Sequence, residues 1–87
     1  MRVKIFENII NHKINTITGE ELVKYANQFN IRVSLQQAKK IAEYLRGKNI
    51  NIFDTAQRAQ LVKQIAKAAG PETAREVNKL LIQLTKQ

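Results

Sequence analysis

His12 is the single histidine of the chain and the one side chain whose ordinary titration range overlaps neutral pH. Hydrolysis built on such a base needs a carboxylate to orient the imidazole, and none stands nearer in sequence than Glu7. No triad assembles around it, and an exposed helix-end position, where a protonated ring suits the dipole, is the expected role. The adjacent acids Glu20 and Glu21 fall where a helix begins, and Asp54 stands ahead of another helical stretch. Acids are favoured at such places for electrostatic reasons and for capping, which explains them without catalysis. With no cysteine there is no thiol nucleophile, disulfide, thiolate zinc site or iron–sulfur cluster. No glycine-rich loop is followed by the Lys-Ser/Thr of a phosphate-binding motif, and no segment has the spaced carboxylates of a calcium loop. The expectation is a non-enzymatic protein with no catalytic, cofactor or metal residue.

The remaining chemistry is charge. Fifteen Lys and Arg stand against seven Asp and Glu, a formal net charge of +8 in 87 residues. The excess peaks at +3 over residues 48–70, against +2 for 1–17, +2 for 18–47 and +1 for 71–87. On a helical wheel Gln57, Gln60, Lys63, Gln64 and Lys67 lie opposite the apolar stripe, and no acid follows Asp54 before Gly70. Ammonium groups neutralise backbone phosphates, and amides donate and accept at sugars or base edges. Arg46, Lys48, Arg58, Lys63 and Lys67 are therefore the candidate nucleic-acid contacts, with Arg32 a further candidate if the loops cluster. An ordinary solvated polar face is the competing explanation.

A second class of partner is suggested by Val23, Tyr44 and Ile82, apolar or aromatic residues that miss the stripes of their own helices. They suit an interface with an acidic protein or with a second copy. Tyr44, beside Lys40, would equally stack on a base or fill the second side of a central helix.

Helices must position all of these residues, because apolar side chains recur at three- and four-residue steps and only three Gly and one Pro interrupt them. The expected fold is an all-α bundle of about five short helices in one small domain, with room for one core and a shallow groove. Helix one is expected from about Val3 to Asn11, with Val3, Phe6, Ile9, Ile10 and Ile14 on its inner stripe. Thr18-Gly19-Glu20-Glu21 has the form of a capping box and opens helix two, whose inner face is Leu22, Tyr25, Ala26 and Phe29. Ser34-Leu35-Gln36-Gln37 repeats the box before helix three, Leu35 to Arg46, with Leu35, Ala38, Ile41, Ala42 and Leu45 inward. Gly47 stands where a left-handed terminating residue is wanted. Helix four runs from Phe53 or Asp54 to Ala69, with Ala59, Leu61, Val62, Ile65, Ala66 and Ala69 inward. Gly70-Pro71 breaks it, Pro71 begins helix five, and Lys86 ends it, with Ala74, Val77, Leu80, Leu81 and Leu84 inward.

The segments 18–31 and 34–50 share a cap, a stripe and a closing isoleucine, and their tails Ile31-Arg32-Val33 and Ile50-Asn51-Ile52 are alike. A duplicated unit whose tails pair as a tiny two-stranded bridge is one reading; independent capping without pairing is the plainer one. A helix-turn-helix fits less well. Ala26, Asn30 and Ile31 approach the motif's spacing, but Gln36 and Lys39 occupy the sites that its second helix buries.

The longest apolar run, Leu80-Leu81-Ile82, is far short of the roughly 18 residues of a spanning helix, and the first residues build no secretory apolar block. A cytoplasmic protein without membrane contact is expected.

Three stretches together carry a family likeness: Ile9-Ile10-Asn11-His12-Lys13-Ile14-Asn15, Gly47-Lys48-Asn49-Ile50-Asn51-Ile52-Phe53-Asp54, and Gly70-Pro71-Glu72-Thr73-Ala74-Arg75-Glu76-Val77-Asn78-Lys79-Leu80. The chain resembles the YqfT-like proteins of Bacillus-type bacteria over nearly its whole length. That family is a domain of unknown function, so the resemblance implies a small bacterial cytoplasmic protein and carries over no site residue.

Overall fold

Five helices follow one another in a computed structural model that describes residues 4–85, the side chains of Lys4 and Leu84 excepted: α1 Lys4–Thr16, α2 Gly19–Gln28, α3 Leu35–Leu45, α4 Thr55–Ala69 and α5 Pro71–Thr85. Both capping boxes form. The Thr18 hydroxyl accepts from the Glu21 N–H at 3.1 Å while the Glu21 carboxylate accepts from the Thr18 N–H at 3.0 Å. Ser34 and Gln37 do the same at 3.1 and 2.9 Å. Asp54 caps α4 by accepting from the N–H groups of Ala56 and Gln57. After α3 the chain turns through Gly47 at φ +79° and Asn49 at φ +51°, backbone that glycine and asparagine adopt most readily.

The pairs α4–α5 and α2–α3 are the closely packed ones, α3 meets α4, and α1 rests on α3. The core joins Ile41, Leu45, Leu61, Ile65, Ala74 and Leu81 of the helices with three loop residues, Ile17, Ile50 and Ile52. Ile52, with no exposed surface, is the largest fully buried side chain, so the connection between α3 and α4 supplies the centre of the core.

That connection forms no bridge with residues 31–33; no strand occurs among the described residues. The reason lies in α1. Asn15 accepts from the Ile50 N–H through Oδ1 and donates to the Ile50 carbonyl through Nδ2, both at 2.8 Å. Asn11 Oδ1 accepts from the Ile52 N–H at 3.0 Å, and its amide nitrogen donates to Asn51 Oδ1 at 2.8 Å. Side chains one helical turn apart thus supply the partners that a second strand would have offered. The other tail is held elsewhere, with the Ile31 N–H donating to the Ala26 carbonyl at 2.8 Å and Thr73 Oγ1 donating to the Arg32 carbonyl at 3.1 Å.

The same contacts carry α1 five residues beyond the expected end at Asn11. His12 is therefore exposed on the helix about one turn before its end. Burial also differs from the expected stripes. Phe6 and Ile9 are 62% and 59% exposed, while Ile10 and Ile14 pack against the core and Glu7 is buried in the first turn. Tyr25, Phe29 and Leu35 are exposed, as is Ala59. The expected positions of Val3 and Lys86 lie outside the described residues.

Candidate functional site

Helices α3 and α4 meet through Ile41, Leu61 and Ile65, and along that seam runs a cleft of about 250 Å³. Lys40 and Tyr44 line it from α3, Gln64 and Lys67 from α4, and no lining residue is acidic. Spacing creates the arrangement: Lys40 and Tyr44 are one turn apart on α3, while Gln64 and Lys67 flank the buried Ile65 on α4. Tyr44 is half-buried against the core, and the ammonium of Lys48 sits 5.2 Å from its ring centroid. At that distance a cation is attracted to the ring's electron-rich face. Tyr44 is thereby held by packing below and by charge on one side.

The structure divides the five basic candidates. Lys67 lines this cleft, Lys48 lies against the ring of Tyr44 without lining it, and Lys63 is exposed on the same helix as Lys67, one turn before it. Arg58 does not join them. It is half-buried, and its Nη1 donates to the Ile52 carbonyl at 3.1 Å and to Thr85 Oγ1 at 3.3 Å, tying α4 to the core loop and to the end of α5. Arg46 reaches the other way, donating to the Ile17 carbonyl at 3.4 Å between α1 and α2. Lys40, weighed in the sequence only as a neighbour of Tyr44, is the cation that completes the cleft.

Val23, Tyr44 and Ile82 do not converge. Val23 is half-buried on α2, Tyr44 faces the α3–α4 seam, and Ile82 is 38% exposed on α5. A large apolar surface lies elsewhere, in a groove of about 450 Å³ between α1 and α2 on one side and α5 on the other. Its floor is Ile41, Leu45, Leu61 and Ile65, and its walls include Ile10, Ile14, Leu22, Val77 and Leu81. The sequence signal for this surface is the width of the apolar face of α1. At 100° per residue Ile5, Phe6, Ile9, Ile10 and Ile14 spread over about half the circumference, more than contact with α3 alone covers.

Among the described residues no three His, Cys, Asp or Glu gather as a metal site, and no helix is long and apolar enough to cross a membrane. No solved structure matches the chain. An uncharacterized protein, YqfT, of Bacillus subtilis strain 168 is 40% identical over 81 residues, covering 93% of this chain and 96% of its own. A family described as a protein of unknown function, DUF2624, matches residues 1–85. Together, a match of that extent and a relative of that identity place the chain in the DUF2624 family, alongside YqfT.

Proposed function

We propose that the protein is a non-enzymatic accessory protein that contacts single-stranded RNA or DNA through the α3–α4 face. The observation that carries this reading is the acid-free cleft lined by Lys40, Tyr44 and Lys67, with Lys48 against the ring of Tyr44. Aromatic rings flanked by cations serve unpaired bases, which stack on the ring while the ammonium groups follow the phosphates. The charge distribution supports it: Arg32, Lys39, Lys40, Arg46, Lys48, Arg58, Lys63 and Lys67 stand against only Glu43 and Asp54 over residues 29–70. Lys63 and Gln64 extend the face along α4, where Gln64 offers an amide to sugar or base edges. A cytoplasmic location accords with this role.

Fluorescence anisotropy with a labelled single-stranded RNA and a duplex DNA, at low and moderate salt, tests it. Three to four neutralised phosphates lower single-strand affinity roughly 20- to 50-fold between about 50 and 200 mM salt. Lys63→Glu combined with Lys67→Glu flattens that slope, whereas Tyr44→Ala lowers affinity and leaves the slope in place. Absence of binding to either nucleic acid at the lower salt overturns the reading and directs attention to an acidic protein on the same face.

A further inference from the structure

We propose that the apolar groove is the seat of a second copy of this chain, each protomer laying the exposed edge of its α1 into the groove of the other. This inference concerns the side of the molecule formed by α1, α2 and α5 and stands independently of the nucleic-acid reading.

Three observations fix the occupant. The first is the chemistry of the groove. Of the residues that line it only Lys13, Tyr25 and Thr73 carry polar side-chain atoms, and Lys13 and Thr73 are already engaged. Lys13 Nζ lies 2.6 Å from the Glu21 carboxylate, and Thr73 Oγ1 donates to the Arg32 carbonyl. Apart from the hydroxyl of Tyr25 on the exposed rim, no polar side chain is left to orient a polar ligand, so the occupant is apolar where it touches.

The second is extent. The groove is edged by Ile9 of α1 and by Tyr25 and Phe29 at the end of α2, 59%, 41% and 52% exposed, and the apolar surface continues past it onto Ile5 and Phe6, 64% and 62% exposed. Together these five side chains expose on the order of 500 Å² of largely apolar surface, at the upper end of what a monomer carries. With the half-buried lining residues Ile10, Ile14, Leu22, Val33, Val77 and Leu80 added, the patch approaches the roughly 800 Å² that each partner contributes to a stable interface. A small apolar molecule would fill the groove and leave the α1 edge bare. A second copy covers both, because one patch contains the ridge and the furrow. That self-complementarity is the requirement of a two-fold interface.

The third is charge. Lys4, Lys13, Lys24, Arg75 and Lys79 balance Glu7, Glu20, Glu21, Glu72 and Glu76, so the three helices around the groove are together neutral. An acidic amphipathic partner finds no field there to attract it. A second copy meets no net charge on these helices, and none of the Lys and Arg of residues 29–70 lines the groove.

Analytical ultracentrifugation of the full chain over a wide concentration range is the test. The wild type sediments as a dimer at tens of micromolar or below. Phe6→Glu with Ile9→Glu raises the dissociation constant about a hundred-fold or more, since two hot-spot positions are lost at each of two symmetric contacts. Both residues are exposed in the single chain, so far-ultraviolet circular dichroism and the urea midpoint stay close to wild type. The absence of cysteine allows a second readout. Single variants Phe6→Cys and Phe29→Cys, mixed and oxidised, cross-link to each other, which places α1 of one copy on the rim of the other. A wild type that stays monomeric at every concentration overturns the proposal and leaves the groove to a different polypeptide or an apolar ligand. A dimer unaffected by the double variant overturns it also, placing self-association on another surface.

Discussion

Asn15 forms both backbone hydrogen bonds of Ile50 with a single side chain, Oδ1 accepting from its N–H and Nδ2 donating to its carbonyl, each at 2.8 Å. A helix thereby does for a loop what a neighbouring strand does in a sheet. The amide reproduces the donor–acceptor spacing of a peptide group, and its placement one turn after Asn11 carries the pattern on to Ile52. The consequence is structural. With their backbone groups paired, Ile50 and Ile52 turn their side chains into the core from a segment that has no secondary structure of its own.

Replacement of Asn15 by Ala leaves the Ile50 N–H and carbonyl without these partners in a part-buried setting. Each lost contact costs about 1–2 kcal/mol, so the variant is less stable by about 2–4 kcal/mol. Urea unfolding followed by circular dichroism measures the difference. A loss below about 0.5 kcal/mol would mean that water replaces the amide and that the clasp does not hold the loop.

Gly19 is the first residue of α2 and is buried where that helix crosses α3. A methyl group built there stands 2.6 Å from Lys39 Cγ, 3.1 Å from Lys39 Cα and 3.2 Å from the Lys39 nitrogen. The side-chain stem can swing aside, but the backbone of α3 cannot. Gly19→Ala therefore forces α2 and α3 apart and lowers stability by about 1–3 kcal/mol, against the gain that helix propensity alone predicts. The sign of the change in the urea midpoint decides between the two effects.

The helices and their ends were readable because they are local. Thr18 with Glu21, Ser34 with Gln37, and Gly70 with Pro71 encode boundaries within a few residues. The clasp was not readable, since nothing in the spacing of Asn11 and Asn15 points to partners 35 to 41 positions away. The rotation of α1 escaped for a related reason. Its wheel shows an apolar arc but not how much of it α3 covers, and so Phe6 and Ile9 counted as inward although both are exposed. Lys48 and Lys67 were legible as candidate contacts around α4, but their meeting with Tyr44 was not. Arg58 looked the same in sequence, because a positive charge in a polar stretch does not announce that its donors serve a carbonyl and a hydroxyl within the protein.

Acid weakens the fold in a defined order of causes. Glu21 is held below the ordinary carboxyl value first by the hydrogen bond from Lys13 and then by the Thr18 N–H. Asp54 is lowered chiefly by the N–H groups of Gln57 and Ala56. Carboxylates depressed in the folded state add stability above their unfolded pKa, about 4, and that stability disappears as pH falls through the folded values. The urea midpoint is thus level from pH 7 to about 5 and declines below about 4. Asp54→Asn retains a capping acceptor and loses the titration, so its decline is shallower than that of the wild type. Equal declines would assign the acid sensitivity to other groups.

Arg58 and Lys67 separate stability from binding. Arg58 is half-buried with its guanidinium on the Ile52 carbonyl and Thr85, whereas Lys67 is exposed at the cleft. Removing the guanidinium leaves the carbonyl of the fully buried Ile52 short of a charged donor, a loss of about 1.5–3 kcal/mol in Arg58→Ala. Lys67→Ala changes stability by less than about 0.5 kcal/mol, as substitutions at exposed positions do. If the basic face contacts nucleic acid, the order reverses in a binding titration at temperatures where both variants are folded. There Lys67→Ala loses affinity and one phosphate's share of the salt slope, about 0.7 of a unit for a single strand, while Arg58→Ala retains both. An Arg58→Ala variant of wild-type stability and weakened binding would return Arg58 to the contacting face.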